Sequence, residues 1–331
     1  MKGKFLLLTL MLMASAGCAT YEAPVHEPDI AETKAVRFLM REVPSWSRQN
    51  NCYSCHNNGD GARALYAAMK KGHEVSENAL ADTTAWLANP PGWDKNKGDP
   101  GFSDKRLANI QFAAALLAAL EAGELKDRSA LKQAARKVAA DQGEDGAWRI
   151  DPKNTVGSPA TYGTTLATYM AWRILRDARA EAPARKKAER WLGGVRPNNI
   201  SEIATWLLAS SEVRALRSKQ DLWLATIQAA QTHDGGWGPY ADAPPEVFDT
   251  ALVLLALAEI RDKSATPEMI ERGRKFLTRE QNPDGSWPAT TRPRGSHSYA
   301  QLISTTAWAA MAFMSTEPPA TPGVSADLLC P

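Results

Sequence analysis

Gln142-Gly143-Glu144-Asp145-Gly146-Ala147-Trp148 is the stretch that decides the fold, because its pattern returns twice more in the chain. Residues 231–237 (QTHDGGW) and 281–287 (QNPDGSW) repeat its four positions as Q-x-x-D-G-x-W. The Asp-Gly pair predicts a tight turn in which glycine takes positive φ. The tryptophan can fill a joint between helices, and the glutamine can bond free backbone groups at a helix end. Three copies indicate a repeat architecture.

These loops resemble the QW repeats of the terpenoid cyclase and protein prenyltransferase superfamily. The resemblance implies an α/α toroid, in which each repeat is an outer helix, a turn that carries the motif, and an inner helix that lines a central cavity. The turn at 193–197 (GGVRP) is a degenerate fourth copy without Gln or Trp. Residues 90–93 (PPGW) form a further Gly-Trp turn.

Alanine-rich apolar periodicity fits that register from about Ile30 onward, with Gly and Pro marking the loops. We therefore expect an all-α fold of about six helical hairpins in one toroidal domain over residues 30–316. Three inner helices start with similar residues, at 163–166, 249–252 and 304–307. Capping and close packing explain these residues, and the alternative is that they face a substrate or haem propionates. Outer helices are expected at 31–48, 78–88, 125–140, 182–192, 219–230 and 267–280, and inner helices at 62–71, 105–122, 162–175, 200–216, 246–260 and 299–314.

The catalytic groups of the superfamily do not follow from the resemblance. Cyclases of the squalene–hopene type use a D-x-D-D acid, and the nearest match here, Val247-Phe248-Asp249-Thr250, keeps one carboxylate. A single aspartate that opens a helix is more often an N-cap. Protein prenyltransferases bind zinc through Asp, Cys and His, but this chain has no cysteine between Cys55 and Cys330. Function must therefore be argued from another motif.

That motif is Cys52-Tyr53-Ser54-Cys55-His56, a C-x-x-C-H pentad in the turn of the first repeat. Two thiols at this spacing can each form a thioether to one haem vinyl group, and the adjacent imidazole can bind the iron as proximal ligand. The pentad therefore predicts one covalent haem c held by Cys52, Cys55 and His56. A local disulfide and half of a zinc site are the alternatives.

The sixth iron ligand decides what such a haem does. His73 follows the next helix and is the first candidate for a distal ligand, and Met69 is the second. The weaker candidates are His26, His233 and His297. Sequence proximity also makes Trp46 and Tyr53 candidate haem contacts and Arg48 and Arg63 candidate partners of the propionates.

Residues 1–17 read as a signal peptide, with Lys2 and Lys4 before a short apolar run and small residues. Residues 15–18 (SAGC) resemble a bacterial lipobox, which implies lipidation of Cys18, although Ser15 replaces the usual leucine. Cleavage by an ordinary signal peptidase after Ala16 is the alternative. Residues 18–29 read as a tether and 317–331 as a Pro-rich tail. We thus expect a periplasmic protein anchored to the membrane by lipid, which suits c-type haem attachment.

Charge excludes one class of partner. Without Lys2 and Lys4 the 39 basic residues become 37, which equals the number of acidic residues. A near-neutral chain offers no field for nucleic acid. Three functions remain: an exported mono-haem electron carrier with a redox partner protein, a haem oxidoreductase acting on a small or apolar organic ligand in the toroid cavity, and a redox-sensing or interaction scaffold. We favour the carrier, because the sequence contains no recognisable catalytic set.

Overall fold

The computed structural model describes residues 30–97, 104–150, 156–260, 263–292, 294–296 and 298–317. These residues form one unit, which lies between Pro28 and Glu317. The predicted signal peptide and tether, with Cys18 and His26, lie outside the described residues, as do His297, Cys330 and the rest of the tail beyond Glu317. None of the described helices is long and apolar enough to span a membrane. The α-helices are α1 (Ile30–Asn50), α2 (Ala62–Lys70), α3 (Glu77–Leu87), α4 (Lys105–Glu121), α5 (Ser129–Ala140), α6 (Gly163–Asp177), α7 (Ala182–Gly194), α8 (Ile200–Ser210), α9 (Gln220–Ala230), α10 (Val247–Ala258), α11 (Thr266–Glu280) and α12 (Tyr299–Thr316).

The even-numbered helices form a closed inner ring. Each packs against the next, and α12 packs against α2. The odd-numbered helices lie outside, as α5 does between α4 and α6. The inner helix α10 buries ten of its twelve residues, whereas the outer helix α11 buries six of fifteen along one stripe. That difference is what a two-layer arrangement requires. The two layers are an α/α toroid, and this confirms the predicted fold class.

The Q-x-x-D-G-x-W turns join three helices at once. In the first turn the Trp148 indole N–H donates to the carbonyl of Val138 in the preceding outer helix (2.7 Å). The Trp148 backbone N–H donates to Thr168 Oγ1 in the inner helix (3.1 Å). Gln142 Nε2 donates to the carbonyl of Ala184 in the next outer helix (2.8 Å). The motif therefore fastens each repeat to its successor.

The third turn makes the same contacts across the ends of the chain. Gln281 Nε2 donates to the carbonyl of Ala31 in α1 (2.8 Å), so the last turn is hydrogen-bonded to the first outer helix. The backbone N–H of Trp287 donates to Thr306 Oγ1 (3.0 Å), as that of Trp237 does to Thr250 Oγ1 (2.9 Å). Thr250 and Thr306, from two of the three similar helix starts, thus anchor QW turns, a role that neither interpretation from sequence had given them. In the first repeat Thr168 does this, two residues after the stretch 163–166.

The predicted boundaries differ from the structure at several helix ends and turns; the outer helix expected at 125–140, for example, begins at Ser129 as α5. The inner helix expected at 200–216 ends at Ser210 as α8, and a 3₁₀ helix, Arg214–Lys219, follows. The turn expected at 90–93 is part of a 3₁₀ helix, Pro90–Lys95. The first inner helix begins at Ala62 as expected, but the turn before it is partly helical, since a π-helical turn, Cys55–Gly61, leads directly into α2. This π-helical turn is the local feature that positions the pentad.

Candidate functional site

The pentad lies between α1 and α2, which is the position in the first repeat that the turn 142–148 occupies between α5 and α6. Ser54 caps the π-helical turn: its Oγ accepts hydrogen bonds from the backbone N–H groups of His56 (3.1 Å) and Asn57 (3.5 Å). A π-helical turn adds a residue to the helical ladder and is often found at functional sites. Here it brings His56 to the N-terminal end of the inner ring.

Two buried asparagines connect the pentad to the surrounding helices by hydrogen bonds. Asn58 Oδ1 accepts from the backbone N–H of Ser54 (2.9 Å), and its Nδ2 donates to Thr83 Oγ1 of α3 (2.8 Å). Asn57 Nδ2 donates to the carbonyl of Glu42 (2.8 Å) and to the hydroxyl of Tyr299 (2.9 Å). Helices α1, α3 and α12 thus fix this turn, and its position does not depend on one neighbour.

His56 is connected to a buried carboxylate through one hydroxyl. Its Nδ1 lies 2.9 Å from Ser304 Oγ in α12, and Ser304 Oγ donates to Asp60 Oδ2 at 2.8 Å. Asp60 also accepts hydrogen bonds from Gln111 Nε2 (2.8 Å) and from the hydroxyl of Tyr162. Burial raises the pKa of Asp60, and these donors act in the opposite direction. His56, Ser304, Asp60, Gln111 and Tyr162 form what we call the His56 network.

The ionisation state of Asp60 determines which ring nitrogen of His56 is free. When Asp60 is ionised, the Ser304 hydroxyl donates its one hydrogen bond to the carboxylate, and the His56–Ser304 bond is then donated by Nδ1–H. Burial lowers the pKa of His56 to about 4, so the imidazole is neutral at pH 7. No described residue is hydrogen-bonded to Nε2. A neutral imidazole with Nδ1–H bonded and Nε2 free is the arrangement of a metal-ligating histidine.

The two pentad cysteines are free thiols, with Cys52 buried and Cys55 half-buried. Burial, with a smaller contribution from the Asp60 charge, raises the pKa of Cys55 to about 12. Within the described residues no group of three or more His, Cys, Asp and Glu side chains could hold a metal ion. A zinc site at the pentad would therefore need ligands from outside those residues.

The structure does not bring the predicted distal ligands to His56. His73 lies beyond the C-terminal end of α2, whose nine residues span about 13 Å at about 1.5 Å per residue. Its Nε2 is bonded to the buried carboxylate of Glu32 in α1. Met69 lies in the last turn of α2 and lines the same cavity as His73. His233 is exposed in the second tryptophan turn, with 92% of its side chain accessible.

Of the four residues predicted to contact haem, the two aromatic residues lie near the pentad and the two arginines contact other groups. Tyr53 stacks on Trp86, with ring centroids 4.3 Å apart, and Trp46 stacks on Tyr299 at 5.7 Å. The Arg48 guanidinium is exposed and donates to a backbone carbonyl of the next hairpin. Arg63 lies over the Trp308 ring and lines a cavity on the inner side of the ring. Tyr53 is part of the pentad. Trp46 lies close to it, because its stacking partner Tyr299 is hydrogen-bonded to Asn57.

Asp249 is an ion-pair partner and not the N-cap that the sequence favoured. The cap position of α10 is Glu246, and the buried Asp249 carboxylate accepts hydrogen bonds from Ser201 Oγ and from Arg292 Nη2 (2.8 Å). Arg292 also pairs with Glu246. Burial raises the pKa of Asp249 to about 6, against the opposing effect of Arg292. This cluster ties α8 and α10 to the loop before α12.

A cavity of about 370 Å³ lies at the opposite end of the ring from the pentad. Its walls come from the second halves of the inner helices, such as Leu117 of α4 and Met311 of α12. A second, more open cavity of about 860 Å³ is lined by Met69 and His73. Neither of these two cavities is lined by a residue of the pentad.

Sequence reasoning located the pentad but missed the His56 network. The signal was present in residues 57–61 (NNGDG), which are polar or small and yet are all buried at the start of an inner helix. Gly59 allows α4 to pack closely there, because an added Cβ would lie 3.0 Å from Gln111 Cβ. Ser304 could not be chosen from sequence, since it lies 248 positions from His56.

Comparisons with known proteins agree with this architecture. Residues 197–326 match the family model described as the squalene-hopene cyclase C-terminal domain. No curated protein matches the chain. A possible member of the GH105 family from Klebsiella pneumoniae shares 13% identity and a TM-score of 0.53, over 89% of this chain and 95% of that one. A possible GH105 member from Salmonella enterica shares 9% identity and a TM-score of 0.51, over 90% and 98%.

The type II terpene cyclase MstE from Scytonema shares 13% identity and a TM-score of 0.49, over 86% of this chain and 96% of that one. At identities this low the two GH105-like structures show a shared fold and nothing about activity. The family match adds that the second half of the chain has the sequence pattern of a terpenoid cyclase toroid. The chain therefore carries a terpenoid cyclase-like α/α-toroid scaffold.

Proposed function

We propose that this protein is an exported c-type haem protein that transfers electrons, built on an α/α toroid. Cys52 and Cys55 would hold haem through thioethers, and His56 would bind the iron through Nε2. Bound haem would supply reversible one-electron transfer at iron. A redox partner protein would exchange that electron. Lipidation of Cys18 would keep the toroid at the periplasmic face of a membrane, where c-type haem is attached.

One observation carries the proposal: the His56 Nδ1 bond to Ser304, which is itself bonded to the buried Asp60. Metal-ligating histidines nearly always donate their other ring N–H to a carboxylate, a carbonyl or water, because this fixes the ring and its tautomer. At His56 the partner is the Ser304 hydroxyl, which Asp60 holds in place together with Gln111 and Tyr162. The free thiols of Cys52 and Cys55 precede this histidine at the spacing that haem attachment requires.

The pentad is separate from the two described cavities, because neither is lined by Cys52, Cys55 or His56. The 370 Å³ cavity lies at the other end of the inner helices, which argues against iron chemistry on a substrate held there.

A second candidate is a haem protein with an open sixth position that binds a small ligand. The observation that favours it is the location of His73 and Met69, which lie at the far end of α2 from His56. An open iron allows binding of oxygen, peroxide or carbon monoxide. An interaction scaffold, the third function considered from sequence, gains no specific contact from the structure.

The test is an absorption spectrum of the full-length protein expressed with c-type maturation machinery. The carrier predicts a low-spin reduced spectrum that carbon monoxide leaves unchanged, with a sixth ligand supplied by His26 or His297, the two histidines outside the described residues. Rapid binding of carbon monoxide would reject the carrier in favour of the open-site protein. His56→Gln should abolish the low-spin spectrum, whereas His233→Gln, at an exposed histidine, should leave it intact. A His56→Gln spectrum identical to wild type would reject the assignment of the proximal ligand.

A further inference from the structure

The cavity at the C-terminal end of the inner helices has apolar walls and a cationic floor. Leu117, Met170, Met311 and Met314 contribute apolar surface. Its volume of about 370 Å³ corresponds to about a dozen waters at about 30 Å³ each, which is at the lower end of the range for small-molecule sites. The cavity therefore has room for one small organic molecule.

The buried polar atoms that line this cavity and lack a hydrogen-bond partner are all donors. Three lining residues have a buried N–H group with no hydrogen-bond partner among the described residues: Arg63 at Nη1, Arg173 at Nε and Trp308 at Nε1. The lining carboxylates, Glu121 and Glu259, have no buried oxygen left unpartnered. Buried polar groups normally have hydrogen-bond partners, so a ligand with a hydrogen-bond acceptor would complement this lining.

Charge agrees with that need. Of the four cationic lining residues, Lys70, Lys71 and Arg173 each lie within 4.0 Å of a carboxylate, but Arg63 has no such partner in the described part of the chain. The Arg63 guanidinium is stacked 4.8 Å from the centroid of the Trp308 ring. Asp60 acts on Arg63 electrostatically, yet its oxygens are already bonded within the His56 network.

Helix dipoles determine where in the cavity an anion can sit. The C-terminal ends of the inner helices disfavour negative charge at the rim, but this effect fades within the last turn. Arg63 is the second residue of α2, two turns below the end of that helix at Lys70. An anionic group is therefore favoured at the floor of the cavity and disfavoured at its rim.

We infer that this cavity binds a small amphiphilic carboxylate, with its carboxylate at Arg63 and the Trp308 indole N–H and its apolar body between the methionine and leucine walls. The Arg63 guanidinium presents planar N–H donors that match carboxylate oxygens. The site is separate from the pentad and does not require haem to be bound there. Its ligand is defined by an acceptor group at one end and an apolar body that fits a cavity of about 370 Å³, and octanoate is a probe with this chemistry.

Isothermal titration calorimetry of the purified full-length protein with octanoate tests this inference, with octanol as the uncharged probe of equal length. We expect octanoate to bind with a Kd below about 1 mM, and octanol to bind at least about tenfold more weakly. Acetate, which has the head group alone, should also bind at least about tenfold more weakly, because it lacks the apolar body. Equal affinities for octanoate and octanol, or no heat with octanoate, would overturn the inference.

Variants locate the site. Arg63→Gln should weaken octanoate binding by about tenfold or more, and Arg37→Gln, an exposed arginine that lines the other cavity, should leave it unchanged. If Arg63→Gln does not fold, as judged by circular dichroism, Trp308→Phe serves in its place, because it removes the unpartnered indole N–H beside Arg63 and should also weaken octanoate binding. Unchanged binding in a folded variant would overturn the site. Haem content of each sample, measured separately, keeps this result independent of the function proposed for the pentad.

Discussion

Gly285 lets the last repeat close the ring on the first, and its replacement by alanine gives a direct test of that closure. Gly285 has a φ of 95°, and an added Cβ would lie 2.3 Å from the carbonyl oxygen of Lys34 in α1. Gln281 of the same turn donates to the carbonyl of Ala31. Gly285→Ala should therefore separate the third QW turn from α1.

The expected magnitude follows from two costs. A non-glycine residue at positive φ costs roughly 1–3 kcal/mol. A separation of 2.3 Å from a backbone oxygen cannot be relieved by rotating a side chain, so α1 must move. The hydrogen bond from Gln281 to Ala31 is then lost, at about 1 kcal/mol. We expect Gly285→Ala to lower the free energy of unfolding by about 3 kcal/mol.

Gly72→Ala is the matched control. Gly72 has a φ of 90° but nothing lies within 4 Å of its added Cβ, so this variant carries the backbone strain without the contact. Its loss should be about 1 kcal/mol. Urea denaturation followed by circular dichroism measures both values. Amide hydrogen exchange should rise in α1 in Gly285→Ala and stay unchanged there in Gly72→Ala.

Two results would refute this account of ring closure. One is an equal loss of stability in the two variants, since the Lys34 contact would then carry no energy. The other is unchanged hydrogen exchange in α1 of Gly285→Ala, since the last turn would then not hold the first helix.

Three further predictions concern buried polar groups. The folded-state pKa of Asp249 is raised to about 6 from an ordinary 3.8, so its contribution to stability is fully present below pH 3.8 and is lost as the pH rises through 6. Urea denaturation between pH 4 and 8 should therefore show wild type losing up to about 3 kcal/mol relative to Asp249→Asn, and parallel pH profiles would contradict this. His73→Ala should cost about 2 kcal/mol, because Glu32 loses its buried partner, and should leave the haem spectrum unchanged, whereas a change to high spin would restore His73 as an iron ligand. Ser304→Ala should raise the haem reduction potential in a redox titration, because His56 loses the hydrogen bond that strengthens it as a donor, and an unchanged potential would remove Ser304 from that role.

The architecture could be predicted from the sequence because its signals are local. Each QW turn contains its own glycine, glutamine and tryptophan within seven residues, so three copies indicated the ring before any contact was known. Helix ends were less predictable where tertiary packing decides them. α8 ends at Ser210 although its apolar pattern continues to Leu216, because a 3₁₀ helix buries Leu216 instead.

Only part of the candidate site could be predicted, because the partners of His56 are distant in sequence. The pentad is a local motif, but the groups that prepare His56 come from α12, α4 and the residue before α6. Spacing cannot reveal partners separated by 102 or 248 positions, such as Tyr162 from Asp60 and Ser304 from His56. His73 was chosen as a distal ligand by its separation along the chain, and its pairing with Glu32 could be seen only once the helices were packed.

The central claim is that Cys52 and Cys55 hold a haem, and a mass measurement tests it most directly. Full-length protein expressed with c-type maturation machinery is denatured, and its intact mass and pyridine haemochrome are recorded beside those of the Cys52→Ser/Cys55→Ser variant. The account predicts one haem per chain that survives denaturation in the wild type and none in the variant. A colourless wild-type protein of unmodified mass, with both cysteines still free or joined as a disulfide, would contradict it.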